Sequence, residues 1–312
     1  MNLLLKRIFV WFFFVGTTLF FACVGTGMGE EIGIAGSFSG TLRPNLENRR
    51  YFSDGTGRPI YLTGSHVWDN LQDWGGATPQ FDFTAYLDLL KKNNHNFIRL
   101  WTIGENTVKG GSLITPMPWR RTGPGTAGDG QSKFDLTKFD PQYFERLRSR
   151  IIEAGKRGIY VSIMLYDGIF DWESHPFNSA NNINNIDDRL KSDGDGREIF
   201  TLTSPKITEL HKAYIRKVID TVNDLDNVLY EVGNEIQRYS LEWQYHIINY
   251  IKDYEQKKPK QHPVGMTSSG GDGPEHLTNS DLLNSPADWI SPRSLEPGQN
   301  YSYNPPPANG KK

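Results

Sequence analysis

The residues best suited to chemistry close one short run, Asn227-Val228-Leu229-Tyr230-Glu231-Val232-Gly233-Asn234-Glu235. A β-branched and aromatic stretch that stops at Gly-Asn-Glu reads as a buried strand rather than a helix. Side chains alternate along a strand, which puts Leu229, Glu231, Gly233 and Glu235 on one face and Tyr230, Val232 and Asn234 on the other. One carboxylate then lies inside the sheet and another at its mouth. Buried charge is costly and is kept where it is paired or used. Glu231 reads as the buried partner of an arginine, and Glu235 as a reacting group at the carboxyl end of a barrel strand.

The elements that must position this run repeat as strand, loop and helix. Asp54-Gly55 between two apolar stretches marks a hairpin, whose second arm continues from Pro59 to Leu62 and into a first strand ending near His66-Val67-Trp68. Phe97 to Trp101 forms a second strand, Ile159 to Leu165 a third ending in Tyr166-Asp167, and the run at Glu235 the fourth. His262 to Thr267 forms a fifth and Ala287 to Ile290 a sixth. Thr78-Pro79, Asp140-Pro141 and Ser204-Pro205 each place a capping residue before a proline suited to the first helical position. Alternating strands and helices imply a parallel sheet, either an open doubly wound one or a (β/α)8 barrel. The barrel is favoured because His66, Trp68, Trp101, Tyr166, Asp167, Glu235 and Ser268 all follow strand ends, and because Gly64-Ser65-His66 is no phosphate-binding turn.

Composition narrows the partners. The 312 residues carry a formal net charge of −2, which gives no electrostatic case for nucleic acid. The 8 Trp, 14 Tyr and 17 Phe include several in Gly- and Asn-rich loops, where aromatic faces suit sugar rings. Trp68, Trp101 and Trp172 are candidate stacking surfaces, while Trp243 reads as core on a helical face. No histidine pair has His-x-His or His-Glu-x-x-His spacing, so neither a catalytic metal nor a cofactor is expected. Asp193-Gly194-Asp195-Gly196 reads as a turn and not a calcium loop. Lys6-Arg7 followed by an apolar run to Val24 marks residues 1–24 as a signal peptide or lipoprotein signal, with export to the periplasm or medium. Lipidation at Cys23, the single cysteine, is the alternative, and an uncleaved anchor is a third reading; membrane contact is expected through this segment alone. Residues 25–40 read as a linker.

Phe97-Ile98-Arg99-Leu100, Gly158-Ile159-Tyr160-Val161 and Tyr230-Glu231-Val232-Gly233-Asn234-Glu235 together resemble retaining glycoside hydrolases of the clan A (β/α)8 superfamily, cellulase-like, over about Pro59 to Ile290. Tyr61-Leu62-Thr63-Gly64-Ser65-His66 and His175-Pro176-Phe177-Asn178 are similar to segments of bacterial secreted members. The resemblance implies hydrolysis of O-glycosidic bonds in a poly- or oligosaccharide. It makes Glu235 the general acid/base, Asn234 the amide that meets a sugar 2-hydroxyl, and Arg99 the arginine that orients the nucleophile. It leaves Glu231 as a charge behind them. His66, Trp68, Trp101, Tyr166, Asp167 and His175 are then expected to contact sugar. Glu235 is expected to be buried enough to hold its proton.

The family places its nucleophile on a seventh strand, whereas this sequence passes from a sixth strand into a Pro-rich tail, residues 291–312. The expectation is a barrel of about six β/α units over 41–312, with residues 41–58 as an N-terminal hairpin. Strands seven and eight would be missing, and the nucleophile would lie beyond Lys312. A carbohydrate-binding protein without catalysis, or a truncated pseudoenzyme, is the alternative.

Overall fold

The computed structural model describes residues 38–75, 80–105, 107–108, 112–186, 194–269 and 273–292. The signal segment with Cys23, linker residues 25–37, Thr78-Pro79, Asp193 and tail residues 293–312 lie outside the described residues.

Five parallel strands form the central sheet, in the spatial order Phe97–Leu100, Tyr160–Asp167, Val228–Asn234, Val264–Thr267 and Trp289–Ser291. Each strand lies beside the next in sequence. A doubly wound sheet reverses direction at a switch point, whereas a barrel winds one way. The sheet is the larger part of a (β/α)8 barrel. Helices α1 (Phe83–Lys92), α2 (Pro141–Gly155), α3 (Pro205–Val222) and α4 (Leu241–Glu255) pack on one another in sequence order outside it, and α5 (Asn279–Asn284) leads to the last strand.

The expected first strand is not a ladder. Among the described residues it joins the sheet through one parallel bridge, Gly64 to Phe97. A Cβ at Gly64 would lie 1.7 Å from the Phe97 carbonyl oxygen, so only glycine permits that approach. Side-chain amides replace the missing ladder. Asn70 donates to Arg99 O at 2.6 Å and accepts from Trp101 N at 2.8 Å, and Gln72 accepts from Ile103 N at 2.7 Å. An edge that would otherwise carry unpaired backbone groups is thereby covered.

Helix starts follow local chemistry. Asp140 caps α2 by accepting from Gln142 N at 2.9 Å, with Pro141 at the first helical position. Ser204 precedes Pro205 as expected, but its hydroxyl makes no cap. Helix α1 begins at Phe83 under an Asp82 cap rather than at Pro79, because the carboxylate of Asp82 reaches Ala85 N.

The inward face carries the layers that support the site. At the amino-terminal end, Tyr160 and Leu229 pack with Leu42, Phe38, Phe52, Ile60, Leu62, Phe97 and Trp289, so the antiparallel pairings of Arg43–Pro44, Phe52–Ser53 and Pro59–Ile60 plug the barrel floor. Between sheet and helices, Trp243, Tyr214, Tyr143 and Phe200 are buried, each contributing roughly 1.5–3 kcal/mol. His262 lies before the fifth strand rather than in it. Its ring is engaged at both nitrogens, with Glu255 Oε1 at 2.8 Å and Leu225 O at 2.8 Å, and Glu255 also accepts from Tyr230 at 3.1 Å and Asn223 at 2.9 Å.

Candidate active site

Arg99 on the second strand and Glu231 on the fourth meet inside the barrel. Arg99 Nε donates to Glu231 Oε2 at 2.9 Å and Nη2 donates to Oε1. The Glu231 side chain is 0% exposed and that of Arg99 20%. Thr267 Oγ1, on the fifth strand, adds a hydrogen bond to Glu231 Oε1 at 3.1 Å. A fork-to-fork pair of this kind is both strong and directional. The guanidinium stands 4.7 Å from the centre of the Trp101 ring, on which the His66 imidazole also stacks at 4.8 Å and 18°. Burial lowers the pKa of His66, and the Arg99 charge lowers it further.

Above this pair the alternation of faces breaks. Asn234 was expected opposite Glu231, yet its Oδ1 lies 3.4 Å from the same Arg99 Nη2 and its Nδ2 donates to Asp167 Oδ1 at 3.0 Å. Strand twist and curl at the carboxyl ends turn Asn234 and Asp167, which are register partners, toward the barrel mouth. Asp167 also accepts from Trp101 Nε1 at 3.3 Å and Gly168 N at 3.0 Å.

These residues border an open cleft of about 550 Å³. Its wall includes Trp68, Trp74, Trp101, Asp167, Asn234 and Glu235. Trp68 is 59% exposed and stacks on Trp74 at 6.1 Å and 19°. Glu235 follows the fourth strand with φ 53°, a left-handed conformation that costs a non-glycine residue energy and recurs at functional sites. Gly168 permits this bend, since a Cβ there would lie 2.8 Å from Glu235 O. The expected burial of Glu235 does not hold: its side chain is exposed, and its carboxylate makes no hydrogen bond or ion pair among the described residues. The reason is its place in the turn after the strand, outside the ladder.

Three expected sugar contacts lie elsewhere. Tyr166 points toward the helices, donating to His211 O at 3.2 Å among Phe200, Tyr214 and Trp243. His175 is buried behind the cleft, its Nδ1 accepting from Phe177 N at 3.1 Å, and burial pushes its pKa down to about 3. Trp172 stacks on His175 and is covered by Gly196, so it offers no open face. Tyr166 lies within the third strand with its ring on the helix side, whereas Trp172 and His175 sit in a rim loop that folds inward and uses their rings as core.

Sequence reasoning missed Glu105, Trp74, Phe170 and Asp171, all in the cleft wall. Glu105 is buried and accepts from Phe170 N at 2.7 Å and Asp171 N at 3.4 Å. Burial pushes Glu105 up to about 7 against those two hydrogen bonds. Burial, with the nearby Glu105 charge, likewise pushes Asp167 up to about 7. The signal available was a carboxylate at Glu105 four residues past Trp101, beyond the end of the second strand where site residues were already expected. Among the described residues no three His, Cys, Asp or Glu side chains gather as metal ligands would.

Residues 81–275 match the family model DUF6298, described as a domain of unknown function. The chain belongs to this family. The DUF6298 segment contains Arg99, Glu105, Asp167, Glu231, Asn234 and Glu235, while His66, Trp68 and Trp74 precede it. No curated protein matches the chain. Among solved structures, a glycoside hydrolase family 5 mannosidase from Rhizomucor miehei is similar at 14% identity and a TM-score of 0.50, over 79% of this chain and 59% of that one. A glycoside hydrolase family 5 protein from Bacteroides vulgatus gives 15% identity and a TM-score of 0.46, over 73% of this chain and 40% of that one. An endo-1,4-beta-mannanase from Rhizomucor miehei gives 15% and 0.45, over 80% and 69%. The likeness to the mannosidase is one of fold. The DUF6298 chain thus shares the barrel fold of that mannosidase, and it spans well under two thirds of the length of the Bacteroides structure.

Proposed function

We propose that this protein is a glycoside hydrolase with Glu235 as its acid/base. The observation that carries the reading is Asn234-Glu235 closing the fourth barrel strand, aimed into a cleft walled by Trp68, Trp74 and Trp101. Glu235 would protonate the glycosidic oxygen, while Asn234, whose amide is fixed by Asp167 and faces Arg99, would hold the 2-hydroxyl of the sugar being cleaved. The fold likeness to a mannosidase makes mannosides the first substrates to try. The second carboxyl group that a retaining mechanism needs is assigned to no described residue. The Lys6-Arg7 and Ile8 to Val24 pattern supports action outside the cytoplasm.

One observation favours a second reading, a carbohydrate-binding protein without catalysis. Arg99, which in this reaction would steady a nucleophile, already holds Glu231. The deciding measurement is release of reducing sugar from mannan, glucan and aryl β-glycosides by the parent protein and by Glu235→Gln. A fall of about 10²- to 10⁴-fold in the variant, with sugar binding kept, supports the enzyme. Equal turnover by both proteins removes Glu235 from the chemistry, and binding without turnover by the parent supports the second reading.

A further inference from the structure

Glu235 borders two hollows rather than one. A second depression of about 420 Å³ is lined by Arg197, Gln237, Tyr239, Ser269 and His276, and it shares Phe170 and Glu235 with the aromatic cleft. Those two shared residues form a ridge between the compartments. The ridge is held from below: buried Glu105 accepts from Phe170 N at 2.7 Å, and Gly168 lets this loop lie directly against the backbone of Glu235. Phe170 itself is 64% exposed, an apolar ring left open at the point where the hollows meet.

The two sides differ in chemistry. The first is walled by indoles, which suit the C–H face of a sugar ring. The second is polar. Tyr239 is 37% exposed and stands under the Arg197 guanidinium, 5.6 Å from its ring centre. The Arg197 charge is matched by Asp195 at 2.8 Å, and His276 Nε2 is bound to Glu275 at 3.1 Å. Apart from the Glu235 carboxylate on the ridge, what remains for a ligand is hydroxyl, amide and ring surface, the pattern that recognises a neutral polyol and disfavours an anion.

We propose that the two hollows are one groove, that the Tyr239 side is a second sugar-binding compartment, and that the ligand is a neutral oligosaccharide lying across the Phe170–Glu235 ridge with a bridging oxygen beside Glu235. This rests on the acid/base reading of Glu235. Asn234 lies on the aromatic side, so the unit whose bond is cleaved sits there and the leaving sugar occupies the Tyr239 side. A ligand held on both flanks is cut between sugars, so a chain of units is preferred over a single glycoside.

The test is calorimetric binding to Glu235→Gln protein, which leaves the ligand intact. The probes are methyl β-mannoside and methyl β-glucoside against mannotetraose and cellotetraose. One tetrasaccharide is expected to bind about tenfold or more tighter than its methyl glycoside, the worth of one further sugar–aromatic contact. Adding Tyr239→Ala, an exposed position, is expected to remove most of that length-dependent gain, whereas Trp68→Ala weakens short and long ligands alike. Equal affinity for both lengths, or a Tyr239→Ala loss of the same size on both, overturns the groove. Length-dependent binding by a parent protein that hydrolyses nothing upholds the groove and removes the acid role of Glu235. Hydrolysis of an aryl glycoside without length-dependent binding does the reverse.

Discussion

Removing the charge of Glu231 is the sharpest way to test what holds the barrel interior together. The carboxylate is wholly enclosed, and three hydrogen bonds converge on it, two from Arg99 and one from Thr267. Glu231→Gln keeps the shape but leaves a guanidinium facing an amide, and breaking a buried pair in this way costs about 3–5 kcal/mol. Arg99 keeps some solvent contact and rests against the Trp101 ring, so the lower end applies, about 3 kcal/mol. In a domain of this size that corresponds to a fall in Tm of roughly 6–12 °C. The partner change, Arg99→Met, strands an enclosed carboxylate and is expected to cost at least as much at neutral pH. With Arg99→Met and Glu231→Leu together, both charges are gone, and the double variant is expected to lie within about 2 kcal/mol of the parent. Urea unfolding of these proteins, with Glu231→Leu as the matching single variant, gives the coupling directly. A Glu231→Gln cost below about 1 kcal/mol, or a double variant as unstable as the summed singles, would refute the pairing as the organiser of the site.

Gly64→Ala drives a methyl group into the Phe97 carbonyl and is expected to cost about 3 kcal/mol in urea unfolding; a cost under about 1 kcal/mol would show that the bridge is dispensable. Asp167 supplies a pH test. Its folded value of about 7 lies above the ordinary 3.8, so its contribution to stability is full below 3.8 and is lost as pH rises through about 7. Asp167→Asn removes that loss. Its unfolding midpoint relative to the parent is therefore expected to rise between pH 4 and pH 8, and a flat or falling difference contradicts the buried, protonated carboxyl.

Much of the architecture was legible because its signals are local. Asp140-Pro141 writes a helix start into two residues, and the helical spacing of Phe144, Leu147, Ile151 and Ala154 marks the face of α2 that is buried. The strand at Val228 announced itself by β-branched residues that stop at Gly233. The first strand was not legible as it stands, because its partners are side chains: Asn70 and Gln72 look like loop polarity until they meet the backbone beside Arg99. Glu105 was hidden for a related reason, since its partners are backbone N–H groups 65 and 66 residues away.

Sequence alone determined that a carboxylate and an amide end the fourth strand, that an arginine lies on the second and that tryptophans follow the strand ends, since residue type and period are properties of the chain. Only the folded barrel decided which of those side chains meet. Strand curl brought Asn234 over to Arg99 and Asp167, the left-handed turn at Glu235 lifted it out of the ladder into solvent, the third strand turned Tyr166 to the helix side, and an inward-folding loop took Trp172 and His175 for the core. Pairing across sheet and loop depends on twist and packing summed over distant segments, and no short window of residues carries that information.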